Sequence, residues 1–231
     1  MKYTIAFVAL LTLPACRSNE IGFSKDVNPE TIYQEYNVSA TEGDRDASFT
    51  AQFRFGGSNG TTLVLDADSP VTLDGKKLAV DSNAAMGAFY QTHLPISGAT
   101  GAHSWKFANG KGKTYINNQH LNPFSLVTDL RNGIAPADLE LQFNGLADGE
   151  KVNITISDTS RLAQYHDLDT SITVVSGKGL IPAAAVKRLA AGPLSIYIGQ
   201  YKNTSLDEAT KEGGVLNYRF DLRAISTLLK K

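Results

Sequence analysis

The sequence predicts an all-β protein, and three observations support that prediction. Apolar and polar residues alternate with a period of two in many short segments, as in strands that bury one face. Gly, Asn and Asp cluster between those segments, as they do in hairpin turns. Helical periodicity is nearly absent before residue 125. The chain of 231 residues is long enough for two domains of about 100 residues, or for one large sandwich.

The first sixteen residues have the composition of a secretory signal. Lys2 supplies a positive charge, residues 5–13 are apolar apart from one Thr, and Cys16 follows. This segment is too short to span a bilayer, which needs about 20 apolar residues. The motif Leu13-Pro14-Ala15-Cys16 resembles the lipobox of bacterial lipoprotein precursors, and it contains the only cysteine of the chain.

The lipobox resemblance implies that residues 1–15 are removed as a signal peptide and that the Cys16 Sγ carries a diacylglycerol. Acylation of the new amine, as with palmitate, would complete an anchor of several fatty chains, which is stable on a membrane. Arg17 rather than Asp follows the cysteine. By similarity to enteric lipoproteins, this implies an outer-membrane location, on either its periplasmic or its cell-surface face. An ordinary signal peptide with a chance cysteine is the alternative.

Composition narrows the classes of partner. The chain carries 22 Lys and Arg against 23 Asp and Glu. This near-neutral balance gives no support for nucleic-acid binding, which favours a basic stripe. With Cys16 lipidated, no thiol remains for a disulfide, a nucleophile or a cysteine-rich zinc site. We therefore expect no cofactor, and a fold that is held together by burial alone.

Residues 16–30 are polar with scattered apolar positions, and they predict a tether between lipid and fold. Residues 31–124 predict an N-terminal β-sandwich. Residues 49–55 alternate cleanly, residues 56–60 form a Gly-rich turn, and Asp74-Gly75 favours a tight hairpin. The clearest hairpin joins residues 103–107 to residues 113–117. A run of turn residues over 118–136 then places a boundary near residue 125.

Residues 125–231 predict a C-terminal β-sandwich in the same style. One segment departs from it, because Pro182 suits the first turn of a helix, the following alanines favour one, and Gly192 ends it. A strand, a short helical crossing and another strand resemble the link between the two sheets of immunoglobulin-like domains in bacterial surface proteins. This resemblance covers residues 137–222. The sequence thus predicts two tandem immunoglobulin-like sandwiches, with one large sandwich as the alternative.

Four aromatic residues are candidates for a ligand platform: Trp105, Phe107, Tyr90 and Tyr115. They fall on neighbouring predicted strands, and sugars or peptides bind to exposed aromatic rings. Core packing, in which large rings fill the space between two sheets, is the favoured interpretation.

Two pairs of carboxylates are weak candidates for calcium, which prefers oxygen ligands in loops: Asp66 with Asp68, and Asp167 with Asp169. The Gly and Glu that an EF-hand loop requires at later positions are missing. Acidic turns that solvate strand ends are the stronger explanation of both pairs.

No catalytic motif has the context that it needs. Residues 56–60 match G-x-S-x-G, but a nucleophile elbow requires a helix after the serine, and β-pattern follows here. The four histidines lack metal-ligand spacing. We therefore expect a non-enzymatic, membrane-anchored binding or assembly module with an unidentified protein or glycan ligand. The alternatives are a hydrolase built from dispersed Asp, Glu and His, and a structural component that docks on an outer-membrane protein.

Overall fold

The computed structural model describes residues 17–158 and 167–230. Of these residues, 56% lie in strands and 7% in helices, which confirms the all-β prediction. The described strands are β1 Ile21–Phe23, β2 Ile32–Thr41, β3 Asp46–Phe55, β4 Thr61–Val64, β5 Val71–Leu73, β6 Lys76–Lys77, β7 Val80–Asn83, β8 Gly87–Pro95, β9 Gly101–Ala108, β10 Thr114–Leu121, β11 Ser125–Leu126, β12 Leu139–Asn144, β13 Lys151–Asp158, β14 Leu168–Thr173, β15 Lys178–Ile181, β16 Gly192–Ser205, β17 Gly214–Asp221 and β18 Ile225–Leu229.

The helices are short. They comprise α1 (Ile96–Ala99), α2 (Ala183–Val186) and two 3-10 turns at Ser24–Asp26 and Pro29–Thr31. Neither α1 nor α2, the α-helices of the described ranges, has the length and hydropathy needed to cross a bilayer.

One large sheet organises the fold. Its eleven strands follow the path β1-β4-β3-β2-β17-β16-β13-β14, with β8 paired to β3, β7 to β8 and β18 to β16. Two smaller sheets have the orders β10-β9-β5-β6 and β11-β12-β15. The large sheet therefore provides the surface against which the rest of the sandwich packs.

Aromatic rings join the large sheet to the four-stranded sheet. Tyr36 on β2 stacks on Trp105 of β9, with ring centroids 5.0 Å apart and planes at 25°. Phe53 on β3 contacts Phe107, also on β9, at 4.6 Å. Towards the three-stranded sheet, Phe124 lies 5.4 Å from Phe220. The buried apolar side chains form one continuous cluster across both sandwich layers.

The predicted boundary near residue 125 does not separate two sheets. Strand β17 pairs in parallel with β2, so that Leu216 lies opposite Tyr36. Strand β16 is 14 residues long; its first part pairs with β13 and β18, and its second part with β17. The C-terminal strands thus complete the sheet of the N-terminal ones. The assignment of residues 31–124 and 125–231 to separate sandwiches needs this correction, because partners so distant in sequence leave no local signal.

The predicted tether over residues 16–30 also needs correction from Arg17 onward. Strand β1 pairs in parallel with β4, and Ser24 and Pro29 are buried. The Ser18 N–H donates to the Asn59 carbonyl at 2.8 Å. This segment packs on the sheet because it supplies hydrogen-bond partners to an edge strand, a role that its polar composition does not reveal.

Several local predictions are confirmed. The hairpin of β9 and β10 places Phe107 opposite Tyr115. Residues 56–60 join two antiparallel strands, β3 and β4, so the Gly-rich motif is a hairpin loop rather than a nucleophile elbow. Helix α2 follows Pro182 and connects β15 of the three-stranded sheet to β16 of the large sheet. It is the inter-sheet crossing that the sequence predicts, although shorter.

Candidate functional site: the outer face of the large sheet

The four aromatic candidates lie in the core and form no exposed platform. Trp105 and Phe107 have no exposed surface, Tyr115 is 1% exposed and Tyr90 is 4% exposed. Phe107 lies parallel to Tyr115, with ring centroids 5.9 Å apart. The surface-platform interpretation is therefore corrected in favour of core packing. The physical reason is that β9 and β10 turn Trp105, Phe107 and Tyr115 towards the large sheet, which covers them. Tyr90, on β8 of the large sheet, packs against Phe53 of the same sheet.

The polar atoms of these rings are already used inside the protein. Trp105 Nε1 donates to Gln119 Oε1 at 2.8 Å. Tyr90 Oη accepts from the Leu65 N–H at 2.6 Å. Tyr115 Oη donates to Glu30 Oε1 at 2.9 Å. Such bonds stabilise buried rings by satisfying their polar atoms, and they leave none of these three groups free for a ligand.

The calcium candidates do not converge on a metal site. Asp66 Oδ2 accepts from Ser24 Oγ at 2.9 Å, and Asp68 is exposed in the same turn. Asp169 Oδ1 accepts from Thr155 Oγ1 at 2.6 Å. Asp167 is exposed and borders residues 159–166, which lie outside the described part of the chain. Within that described part, no group of three or more His, Cys, Asp or Glu residues could hold a metal ion.

The lipidation site also lies outside the described residues. The predicted signal peptide, residues 1–15, and Cys16 precede Arg17, where the description begins. Their role therefore stays a prediction.

The outer face of the large sheet, which points away from the two smaller sheets, is a different kind of surface. Because side chains alternate along a strand, the residues between the buried apolar positions point to this face. They form polar rows across neighbouring strands. These residues are Glu35, Asn37, Ser39, Ser48, Thr50, Gln52, Arg54, Asn153, Thr155, Ser157, Asp169, Ser171, Asn203, Asn217, Arg219 and Asp221, together with two tyrosines.

Those tyrosines are the two large aromatic residues exposed on the outer face. Tyr197 is 51% exposed and Tyr201 is 48% exposed. They lie four residues apart on β16, roughly 13 Å at the rise of a strand. Thr155 of β13 lies opposite Tyr197, and Arg219 of β17 lies opposite Tyr201. We call Tyr197, Gly199, Tyr201, Arg219 and Asp221 the tyrosine row.

Contacts within the tyrosine row hold the Tyr201 ring in place. Tyr201 Oη donates to Asp221 Oδ1 at 2.6 Å. Arg219 Nε donates to Asp221 Oδ2 at 2.5 Å, and the Arg219 Cζ lies 5.3 Å from the centroid of the Tyr201 ring. A cation over an aromatic face is attracted by its quadrupole. The ring is thus fixed by a hydrogen bond at its tip and by a guanidinium over its face.

The same contacts set the charges of the row. Partial burial, followed by the hydrogen bond to the Asp221 carboxylate, raises the pKa of Tyr201 above its usual value. The hydrogen bond to Asp221 raises the pKa of Arg219. At neutral pH the row therefore presents a neutral phenol beside a charged guanidinium, and both groups donate hydrogen bonds to Asp221.

Gly199 makes this arrangement possible. A Cβ on Gly199 would lie 2.5 Å from Asp221 Oδ1 and 2.7 Å from Tyr201 Oη. Both distances are too short for any side chain, so the phenol of Tyr201 reaches Asp221 directly over the glycine. The sequence contains a signal for the face on which the row lies, although not for the exposure of that face. The alternation that buries Leu194, Ile196 and Ile198 turns Tyr197 and Tyr201 to the opposite face.

Two cavities open on the outer face, and one of them adjoins the row. One, of about 400 Å³, is lined by residues that include Ser39, Asp46, His93 and the Arg219–Asp221 pair. The other, of about 330 Å³, lies where residues 17–20 and the loop before β8 cover the face, and Arg54 is 1% exposed there. Burial, then the nearby Arg17 charge, lowers the pKa of Arg54.

The Arg54 side chain is committed to structure. Its Nη1 donates to the Ser18 and Gly60 carbonyls, each at 2.8 Å, and its Nη2 donates to Gln52 Oε1 at 2.7 Å. The covered part of the outer face is thus a structural junction, whereas the tyrosine row is open.

No protein-family model and no curated protein sequence matches the chain. Among solved structures, it is similar to a tetra-tandem repeat in the extending region of a large adhesion protein. The identity is 16% and the TM-score 0.27, over 85% of this chain and 49% of that one. This chain therefore spans about half the length of that structure.

Two further solved structures show weaker similarity. One contains the immunoglobulin domains of DIP-gamma, at 10% identity and TM-score 0.23, over 86% of this chain and 95% of that one. The other is the Yersinia pseudotuberculosis adhesin InvE, at 12% identity and TM-score 0.21, over 84% and 59%. TM-scores this low carry no conclusion about function, so any function must be argued from the site.

Proposed function

We propose that the protein is a non-enzymatic, lipid-anchored binding module of a bacterial outer membrane, and that its tyrosine row binds a glycan. The observation that carries the proposal is the pair Tyr197 and Tyr201. Two half-exposed rings point the same way from one strand, on a sheet face that is otherwise polar.

The chemistry of the row suits a sugar. The ring face of a sugar carries C–H groups that pack on an aromatic ring, while its hydroxyls exchange hydrogen bonds with planar polar groups. Tyrosine offers a large, rigid contact area at low entropic cost. Arg219 and Asp221 provide a donor and an acceptor beside Tyr201, and Thr155 provides a hydroxyl beside Tyr197. The separation of the rings favours an oligosaccharide over a single sugar.

The lipid anchor rests on the sequence motif that ends at Cys16. Its test is a Cys16→Ser variant expressed with the native signal. We expect the variant to leave the membrane fraction and to lose the mass of the fatty chains. Unchanged membrane association and unchanged mass would contradict the anchor.

Among the described residues, two features that could have supported the hydrolase alternative do not do so. The Gly-rich motif of residues 56–60 lies in a hairpin loop. His103 is 6% exposed, and both of its ring nitrogens face oxygen acceptors, Asp74 Oδ2 at 2.6 Å and the Ala99 carbonyl at 2.8 Å. Both ring nitrogens of His103 are therefore engaged by oxygen atoms of the protein itself and are not in reach of a substrate.

A glycan array tests the proposed ligand class. The mature chain carrying Cys16→Ser, its Tyr197→Ala derivative and its Tyr201→Ala derivative would be compared at equal concentration. Leu180→Ala is the matched control, because Leu180 is 51% exposed and lies on β15 of a different sheet. We expect binding to oligosaccharides that both tyrosine variants lose and the control keeps. A parent chain that binds no glycan, or tyrosine variants that bind as the parent does, would contradict the proposal.

A further inference from the structure

The structure leaves almost no free chain between the proposed lipid anchor and the fold. We propose that the end of the large sheet around Arg17 rests directly on the phospholipid leaflet, and that the sheet holds the tyrosine row at a fixed distance from it. This inference rests on the proposed lipid anchor at Cys16. It goes beyond the anchor itself, because it assigns the orientation of the whole domain relative to the membrane.

Arg17, Asn19 and Glu20 are fixed to three strands and one loop. Arg17 Nη2 donates to Gln52 Oε1 of β3 at 3.0 Å, and it also pairs with Glu35 of β2. Asn19 Nδ2 donates to the Ala84 carbonyl at 2.5 Å. The Glu20 carbonyl accepts the Thr62 N–H of β4 at 2.8 Å. The first residue after a lipidated Cys16 is therefore already bound to the sheet through its side chain.

The surface at this end is composed of two loops and an edge strand. The loop of residues 56–60 accepts the Ser18 N–H, and the loop before β8 accepts the Asn19 side chain. Three large apolar side chains are exposed there: Ile21 on β1 at 48%, Phe55 at the end of β3 at 45%, and Met86 at 40%. Apolar side chains gain free energy by entering the boundary between headgroups and acyl chains.

A phospholipid leaflet is the occupant that this surface fits. A lipid on Cys16 would bring a bilayer within one residue of Arg17, whereas any other partner would have to reach the same surface past that bilayer. The Arg17 side chain, 48% exposed, adds a cation at the level of the phosphates. The proposed leaflet contact is therefore a consequence of the short connection, and the exposed apolar side chains are compatible with it.

The strand register then sets the position of the tyrosine row. Arg17 contacts Glu35, and Ser39 lies four residues further along β2, roughly 13 Å away. Ser39 lies opposite Arg219, which lies opposite Tyr201. Because β16 runs antiparallel to β17, Tyr197 lies roughly 13 Å further in the same direction. The row is thus held away from the anchored end. Its side chains point out from the plane of the sheet and not along the strands.

The single cysteine of the chain allows a direct test. The mature protein, beginning at Cys16, would be coupled through its thiol to a maleimide phospholipid in phosphatidylcholine vesicles. Amide hydrogen exchange would be measured at residues 56–60, at residues 83–87, and at the turn of residues 42–45, which lies at the opposite end of β2 and β3. The matched control has about 12 Gly and Ser residues inserted between Cys16 and Arg17, a flexible reach of roughly 20 Å.

We expect direct coupling to slow exchange at residues 56–60 and 83–87 but not at residues 42–45, and the inserted linker to abolish this protection. Equal exchange with and without the linker, or protection of residues 42–45, would overturn the proposal. The coupling is chemical, so the result does not depend on whether cells lipidate Cys16. It also does not depend on glycan binding, so a failure here is distinguishable from a failure of the proposed function.

Discussion

Trp105 and Tyr201 are both aromatic residues on strands, and both use a polar atom in a hydrogen bond to a side chain. Trp105 has no exposed surface and donates to Gln119 within the core. Tyr201 is 48% exposed and donates to Asp221 on the outer face. The two rings differ in exposure because another sheet packs against one strand face and not against the other. Trp105 faces the large sheet, whereas Tyr201 points away from both small sheets.

The number of aromatic residues on a hairpin therefore does not identify a binding surface. The β9–β10 hairpin carries Trp105, Phe107 and Tyr115, and all three are covered. Strand β16 buries its aliphatic side chains and turns its tyrosines outward. The parity of a residue along its strand, together with the coverage of that face, decides whether a ring is buried or exposed.

Replacing the buried ring has the largest expected effect on stability. We expect Trp105→Ala to lower the free energy of unfolding by about 3–5 kcal/mol, because it removes a stacked ring and leaves a cavity. Trp105→Phe, which keeps an aromatic ring, should cost less. Urea denaturation measures both. A Trp105→Ala protein with an unchanged midpoint would mean that this ring is not packed as described.

A substitution in the covered part of the outer face has the next largest expected effect on stability. We expect Arg54→Ala to cost about 1.5–3 kcal/mol, because hydrogen bonds from the guanidinium to the Ser18 and Gly60 carbonyls are lost. Arg45→Ala is the matched control, since Arg45 is exposed. The same denaturation experiment compares them. Equal costs for the two substitutions would show that residues 17–20 are not held by Arg54.

Alkaline pH distinguishes a buried tyrosine from the exposed one. Burial raises the pKa of Tyr36, whereas an unfolded tyrosine ionises near pH 10. The stabilising effect of keeping Tyr36 neutral is present below about pH 10, and it is lost as pH rises towards the folded pKa. We therefore expect the free energy of unfolding to fall above about pH 10, and Tyr36→Phe to flatten that decline.

Tyr201→Phe provides the contrast for the alkaline series. The pKa of Tyr201 is also raised, by partial burial and by Asp221, but its ring is half exposed. We expect its removal to flatten the alkaline decline less than Tyr36→Phe does. The reverse order would contradict the assignment of Tyr36 to the core.

The smallest expected effect on stability belongs to the tyrosine row. We expect Tyr197→Ala to change the free energy of unfolding by no more than about 0.5 kcal/mol, as for most surface substitutions. The same variant should lose glycan binding. A large loss of stability without an effect on binding would reverse the roles of the two aromatic groups.

Much of the local structure could be predicted from the sequence. The alternation of residues 49–55 gives β3, the turn at residues 109–112 gives the β9–β10 hairpin, and Pro182 marks the start of α2. Each signal lies within a few residues of the element that it specifies, because turn geometry and strand period are local properties.

The remaining features depend on distant partners. The parallel pairing of β17 with β2 joins residues about 180 positions apart, so no local pattern encodes it. The packing of residues 17–20 depends on the buried Arg54, which has the pattern of an ordinary polar position in an alternating strand. The face on which Tyr201 lies was predictable from the alternation of β16, whereas the exposure of that face depends on where the smaller sheets pack.

Mapping a bound oligosaccharide onto the mature Cys16→Ser protein would test the tyrosine row as the binding site. A glycan selected on the array would be titrated into labelled protein, and amide and side-chain chemical shifts would be followed. We expect the largest shifts at Tyr197, Gly199 and Tyr201 and at their neighbours on β13 and β17, with none at Trp105. Shifts confined to another surface, or no shifts at saturating glycan, would contradict the assignment of the tyrosine row as the binding site.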